Sequence, residues 1–346
     1  MVTECSGLEP LPYVLDRVGL TGKYEMVAAC EVDPVCRRVI RLCHEGPARP
    51  KKMFTDICTR RPEELPDHDL YVAGFPCQPF STMGSRQGVR DARGRGLIIK
   101  HIIAALAAKR PRAFLLENVK GLVTQHRATF DRILRLLRSM AGSAYKVGFK
   151  VIDTAELGIP QHRERVYIVG LLRAALVPGV TFAWPTPRPC KTLPVVLRWP
   201  GTPDKHVVCK NEKRFLAQST PKMRRRLKLA LKSIRRRGVD PRGFEKPVVV
   251  DIDGVKPHWM HGISPCLTRT RAATGHYLPS QGRRLTITER LRLQDLPVAI
   301  HARCAGHISD RQLGAIIGNS LSLNVVGALV SQMLPACGLP LAGCGD

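Results

Sequence analysis

Leu70-Tyr71-Val72-Ala73-Gly74-Phe75-Pro76-Cys77-Gln78-Pro79-Phe80-Ser81 is the stretch whose reading decides the fold. Its first four residues form an apolar run with the length and composition of a buried strand, which Gly74 and Pro76 end. Cys77 then stands between two prolines on a stiff loop at the carboxyl end of that strand, where open α/β sheets place their ligands. A thiol held there can be aimed at an electrophile. A free cysteine can equally be a small buried hydrophobe, and this stretch alone leaves both readings open.

On either side the chain alternates apolar strand-length runs with helix-length periodic segments. Val2 to Cys5 reads as a short strand turning at Gly7, Leu11 to Val18 as a helix, Met26 to Cys30 as a strand ending at Glu31, and Val35 to Leu42 as a helix after Pro34. Strand 70–73, a helix from about Leu97 to Lys109, strand 113–116, helix 128–140 and strands 147–153 and 166–171 continue the series. This βαβα order predicts a doubly wound, mostly parallel α/β sheet.

The alternation stops near Pro185-Thr186-Pro187-Arg188-Pro189, and proline-rich, basic, weakly periodic sequence follows to about Gly262. A lobe at 1–187, a smaller basic lobe at 188–262 and a return at 263–346 that completes the first lobe are therefore expected. Within the basic lobe one helix is clear, Pro221 to Arg237. Met223, Leu227, Ala230, Leu231 and Ile234 share one face, with Arg224, Arg225, Lys228, Lys232, Arg235 and Arg236 elsewhere. Thr220 can cap its start and Gly238 can end it. A basic amphipathic helix also suits a membrane surface or a calmodulin-type partner, but the flanks carry no aromatic anchors.

The chain has 55 Lys and Arg against 28 Asp and Glu, a formal charge of +27, which exceeds what solubility requires and implies a polyanionic partner. Twelve cysteines include no C-x-x-C pair, so reduced thiols are expected, with neither zinc nor any other metal. No unbroken apolar run of about eighteen residues and no basic-then-apolar leader at Met1 is present, so a soluble, intracellular protein without membrane contact is expected.

Three further segments complete the pattern. Phe114-Leu115-Leu116-Glu117-Asn118-Val119 sets a carboxylate and an amide after an apolar strand. Gln161-His162-Arg163-Glu164-Arg165-Val166 sets two arginines at alternate positions, which on a strand share one face. Gly318-Asn319-Ser320 then opens the last apolar helix. In this order and spacing P-C-Q, E-N-V, Q-x-R-x-R and G-N-S resemble the cytosine-5 DNA methyltransferases, from about Thr3 to about Leu334 and most weakly between roughly Arg188 and Gly262.

The resemblance implies a fold, a chemistry and a set of roles. The fold is that of the S-adenosylmethionine-dependent methyltransferases, with 188–262 recognising the target. Cys77 would add to carbon 6 of a flipped cytosine, Glu117 would stabilise charge building at ring nitrogen 3, and Asn118 would hold the loop. Arg163 and Arg165 would contact the base carbonyl and neighbouring phosphates. S-adenosylmethionine would be held by Gly7, by Glu31 at the ribose, by Asp56 with the following Ile57 at the adenine, and by Asn319 and Ser320. The glycine- and arginine-rich loop from Ser81 to Gly96 looks like the one that closes over DNA, with Arg86, Arg90 and Arg93 at phosphates. Arg224, Arg225, Lys228 and Arg235 would add phosphate contacts to double-stranded DNA. A monomer is expected, located in the nucleus if the host has one.

The first loop departs from the family's usual F-x-G-x-G, with Cys5 in place of the aromatic and Glu9 in place of the second glycine. That departure bears on donor affinity. It also keeps open a catalytically inactive nucleic-acid-binding relative, although Cys77, Glu117 and both arginines are present. A transfer-RNA cytosine-5 methyltransferase would typically carry a C-F-T tripeptide, which is absent.

Overall fold

In the computed structural model, residues 1–76, 98–254, 256, 258–339 and 341 are described. Their contacts divide them into two units. The first comprises Met1–Ile152, Glu164–Thr186 and Val325–Asp346, and the second Asp153–Arg163 and Pro187–Asn324.

The first unit is built on parallel pairing. Its elements run β1 (Val2–Glu4), α1 (Leu11–Arg17), β2 (Ala28–Cys30), α2 (Pro34–Cys43), β3 (Lys52–Phe54), β4 (Leu70–Gly74), α3 (Ile98–Lys109), β5 (Ala113–Val119), α4 (Gly121–Thr124), α5 (Arg127–Ser143), β6 (Tyr145–Asp153) and β7 (Glu164–Leu172). Among the described residues the sheet order is β3-β2-β1-β4-β5-β7-β6. β1 pairs in parallel with β2 and β4, β2 with β3, and β4 with β5, whereas β7 runs antiparallel to β5. Short parallel strands must be joined by crossovers, and their faces must be covered, so β4 and the first part of β5 are apolar runs and α1, α2 and α3 lie in the crossovers β1–β2, β2–β3 and β4–β5. Tyr71, Phe114, Ile102, Leu106 and Phe130 are fully buried in the resulting core. α2 begins on Asp33, whose carboxylate accepts from the Val35 amide at 2.8 Å, and Pro34 supplies its first turn. α5 leaves helical geometry at Met140, as the 128–140 expectation has it.

Register matters more to the site than strand count. Glu4 lies opposite Cys30 and Ala73, Cys30 opposite Phe54, Ala73 opposite Leu116, and Gly74 opposite Glu117. β1, β2 and β3 thus end in one row, with β4 running one residue and β5 three residues beyond it. The loops that follow them emerge along one edge of the sheet.

The second unit contains α6 (Leu193–Leu197), α7 (Lys205–Gln218), α8 (Pro221–Arg236), β8 (Val248–Asp251), β9 (His258–His261), α9 (Arg269–Thr274), β10 (Tyr277–Leu278), β11 (Arg283–Arg284), α10 (Ile287–Leu293), α11 (Ala299–Cys304) and α12 (Asp310–Asn319). Its strands form an antiparallel sheet in the order β11-β10-β8-β9. The apolar stripe of α8, Leu227, Ala230 and Ile234, packs with Val248, Val250 and Tyr277 of that sheet. Thr220 caps α8 by accepting from the Met223 amide, and Gly238 follows its end at φ +72°. By contacts, 263–324 groups with 187–262 and not with the first unit, and the chain rejoins the first unit only at Val325, early in α13 (Leu323–Ala336). The reason is local. Gly314 and Gly318 let α12 press onto α9, where a Cβ would stand 2.2 Å from the Ala272 carbonyl oxygen and 2.4 Å from that of Thr268.

Asp310–Ala336 is long and apolar enough to cross a membrane by length and composition, but two thirds of its most apolar window is buried within the protein. Ser320–Ser322 also break it into α12 and α13. It is a core element.

Replacing Gly318 with alanine should destabilise the protein by about 1–3 kcal/mol, because the obstructing atoms are backbone and cannot rotate away. Chemical denaturation measures this. An unchanged midpoint would contradict the close approach of α12 to α9.

Candidate active site

The edge where β1, β2 and β3 end carries the donor-site candidates. Gly7 adopts φ +57°, and among the described residues beyond its chain neighbours no atom lies within 4 Å of where its Cβ would be, so the loop offers an open cradle. Its amide donates to Glu31 Oε2 at 2.8 Å, and the Asp33 amide donates to Oε1 at 2.9 Å. Glu31 is thereby fixed at the tip of β2 with lone pairs to spare for hydroxyl donors. Burial raises its carboxyl above the ordinary range, and the Asp33 and Gly7 amides oppose that rise. Asp56 accepts from the Cys58 amide at 2.8 Å, and Ile57 is buried beside it. An open glycine cradle, an anchored carboxylate and an acidic turn at adjacent strand ends suit a donor with a ribose and an adenine.

Of two neighbouring carboxyls, Glu4 went unread in the sequence and Glu9 was read only as a replaced glycine. Glu4, fully buried at the end of β1, accepts from the Arg60 guanidinium and the Tyr71 hydroxyl. That ties the loop bearing Asp56 to β1. Glu9 lies fully buried within the first loop, at φ +59°. Their signal was an acid inside an otherwise apolar run. The thiols here are inert: burial pushes Cys30 up to about 12 and Cys5 well above the usual thiol range.

The next strand ends carry the second group. Glu117 lies opposite Gly74, and the Asn118 side-chain amide donates to the Phe75 carbonyl at 3.3 Å while its Oδ1 accepts from the Val119 amide. Asn118 is fully buried, so this bond fixes the chain just before Pro76-Cys77. Arg165 Nε lies 3.1 Å from Glu117 Oε1, with both side chains about nine-tenths buried. Lys120 pairs with Glu164 at 2.7 Å. Cys77, Arg86, Arg90 and Arg93 lie outside the described residues.

Residues 5–334 match the family of C-5 cytosine-specific DNA methylases. The chain belongs to that family. It is 32% identical over 291 residues to the type II methyltransferase M.NgoBI of Neisseria gonorrhoeae, covering 83% of this chain and 81% of that protein. To M.HaeII of Haemophilus aegyptius it is 32% identical over 285 residues, covering 82% and 79%. The Dnmt2 methyltransferase of S. pombe shares the fold at a TM-score of 0.59 and 16% identity, over 96% of this chain and 97% of that one. The methyltransferase EhMeth of Entamoeba histolytica does so at 0.60 and 14%, over 96% and 97%. The protein is thus a DNA cytosine-5 methyltransferase that takes its methyl group from S-adenosylmethionine, by the covalent cysteine mechanism general to its family.

The methyltransferase uses the Q-x-R-x-R residues differently from expectation. β7 begins only at Glu164, so Arg163 precedes the strand and the shared-face argument does not hold. Arg163 is 3% exposed. Its guanidinium donates to the carbonyls of Leu267 at 3.0 Å, Gly318 at 3.1 Å and Ser320 at 2.8 Å. It holds the G-N-S turn at the end of α12, and its donors face carbonyls where a substrate contact was expected. Gln161 is likewise structural, donating to the Leu293 carbonyl at 2.7 Å and accepting from the Leu267 amide at 2.9 Å. Asn319, exposed, and Ser320, buried, belong to the second unit. Arg224, Arg225, Lys228 and Arg235 are all exposed on α8.

Arg163→Lys should lower folding stability by roughly 2–4 kcal/mol, since one ammonium cannot serve three divergent carbonyls. Arg165→Lys should leave stability nearly intact and lower turnover. Equal effects of the two substitutions on denaturation would refute this division of labour.

Proposed function

We propose that Cys77 is the nucleophile, Glu117 its acid partner and Arg165 the residue that orients Glu117, acting on a cytosine flipped out of double-stranded DNA. The observation carrying this reading is the placement of Glu117 beside Gly74, with Asn118 fastening the Phe75 carbonyl two residues before Cys77. Methylating carbon 5 requires the ring's aromaticity to be broken first. The Cys77 thiolate would add to carbon 6, and Glu117 would hydrogen-bond or protonate ring nitrogen 3 as charge reaches it. Arg165, paired with Glu117, keeps that carboxyl aimed and supplies positive charge near the developing anion. The bound donor supplies an electrophilic methyl group on a sulfonium. Loss of the carbon 5 proton and departure of Cys77 then restore the aromatic ring.

Gly7, Glu31, Asp56 and Ile57 hold the donor in this reading, while Asn319 and Ser320 are assigned to it by resemblance alone. The exposed cations of α8 would bind phosphates and so position the duplex without reading its sequence. Monomeric action, and a nuclear location in any host that has a nucleus, complete the reading.

Cys77→Ser should abolish turnover while leaving DNA affinity within about twofold of the parent, because phosphate contacts carry the binding. A covalent complex with DNA containing 5-fluorocytosine should form in the parent only. Its persistence in Cys77→Ala would remove Cys77 from the mechanism. Glu117→Gln should slow turnover by roughly two to four decades.

Replacing Arg224, Arg225, Lys228 and Arg235 together with alanine should make the slope of log affinity against log salt shallower by about one unit per true contact, with target preference retained. An unchanged slope would mean that α8 does not touch DNA.

A further inference from the structure

Glu9 stands where the family's first loop usually has its second glycine, and the backbone there still adopts the left-handed conformation that glycine favours, φ +59°. Its side chain is 0% exposed and turns inward beneath the donor loop. Oε2 takes the hydroxyl hydrogen of Thr3 on β1, and the Thr3 and Ser6 hydroxyls lie 2.8 Å apart. The Glu9 amide donates to the Ser6 carbonyl at 2.7 Å, and Ser6 in turn donates through its amide to the Cys30 carbonyl at 3.2 Å. One residue on from Ser6, the Gly7 amide holds Glu31. The loop is therefore moored to β1 through the Glu9 carboxyl and to β2 through the Ser6 and Gly7 amides.

We propose that Glu9 is a positioning residue for the donor site, holding the first loop in its binding shape only while its carboxyl is protonated, so that donor affinity falls as pH rises. This rests on the reading that Gly7 and Glu31 form that site. Glu9 Oε1 is buried and has no hydrogen-bond partner among the described residues, and no cation pairs with the carboxyl through a side-chain bond there, so an ionised carboxylate would sit under-solvated in the core. Of the groups that face it, the Thr3 and Ser6 hydroxyls and the Leu11 amide favour the ionised form, but burial outweighs them. From β1 come the Thr3 hydroxyl and the amino terminus of Met1, itself donating to the Glu25 carbonyl at 2.6 Å. From β2 comes Glu31, of like charge; from the segment before β2 comes Tyr24; and the Leu11 amide lies at the start of α1. At the end of α2 His44 Nε2 contacts the Leu8 carbonyl at 3.1 Å, one residue from Glu9. Burial accordingly raises the Glu9 carboxyl from its ordinary 4.5 to about 7.

The sign follows from the direction of that rise. The folded loop binds a proton that a free carboxyl would release, so its stabilisation is complete below about pH 4.5 and is lost as pH rises through about 7. Glu31 contributes oppositely, because ionisation improves it as an acceptor for hydroxyls.

S-adenosylmethionine is titrated calorimetrically into the full chain without DNA, so that no turnover occurs, at about pH 6 and about pH 8.5. The parent should lose affinity by roughly tenfold to thirtyfold, the upper figure being the limit in which only the protonated form binds. Glu9→Gln, which keeps a neutral partner for Thr3, and Glu9→Gly, which suits the backbone angle, should each change by less than about twofold over that range. Glu31→Ala should bind weakly at both pH values. A pH-independent parent alongside a weakened Glu31→Ala would overturn the role of Glu9 and leave the donor site standing. A profile that persists in Glu9→Gln would overturn it too. If Glu31→Ala binds as the parent does, the donor site is misplaced and the inference falls with it.

Discussion

The in-register parallel pairing of β1, β2, β3, β4 and β5 is the constraint on which the rest depends. Strands two residues longer or shorter would scatter their following loops along the strand direction by about 3.3 Å per residue. Because Glu4, Cys30, Phe54, Ala73 and Leu116 fall in one row, Gly7, Glu31, Asp56, Phe75 and Glu117 emerge at one edge. On the proposed assignment, donor binding and base chemistry then need no long reach from any of these side chains. The antiparallel β7 adds Arg165 to this edge, opposite Val119 and against Glu117.

What this chain does differently lies beneath the first loop. Two buried carboxyls, Glu4 and Glu9, join the loop, the Asp56 turn and the strand ends by side-chain bonds to Arg60, Tyr71 and Thr3. Buried polar networks of this kind hold one geometry well when every member is satisfied, and they are sensitive to protonation when one is not. Glu9 retains a glycine-like backbone while its side chain takes on the mooring.

The alternation of apolar strands and periodic helices was legible because β2, β4 and the first part of β5 are buried, continuous apolar runs, and α8 because its stripe, cap and terminal glycine agree. The role of Asn118 was legible through its place in the E-N-V motif. β3 was not, since Lys52–Phe54 is a short, partly exposed edge segment that becomes a strand only by pairing with β2. The sheet of the second unit escaped for the same reason, its strands being two to four residues long. α7 escaped because Val208 is its one fully buried residue. That Arg163 lies just before β7 was not legible, because motif spacing says nothing of where a strand begins. The burial of Glu9 depends on contacts with residues that no local pattern connects to it.

The most direct test of the account is incubation with isotopically labelled S-adenosylmethionine and a panel of duplex DNA and transfer RNA, followed by mapping of the label at base resolution. The account predicts label on duplex DNA alone, at carbon 5 of cytosines in a defined sequence context. Label on transfer RNA, on another atom of the base, or on neither substrate under conditions where the donor binds would contradict it.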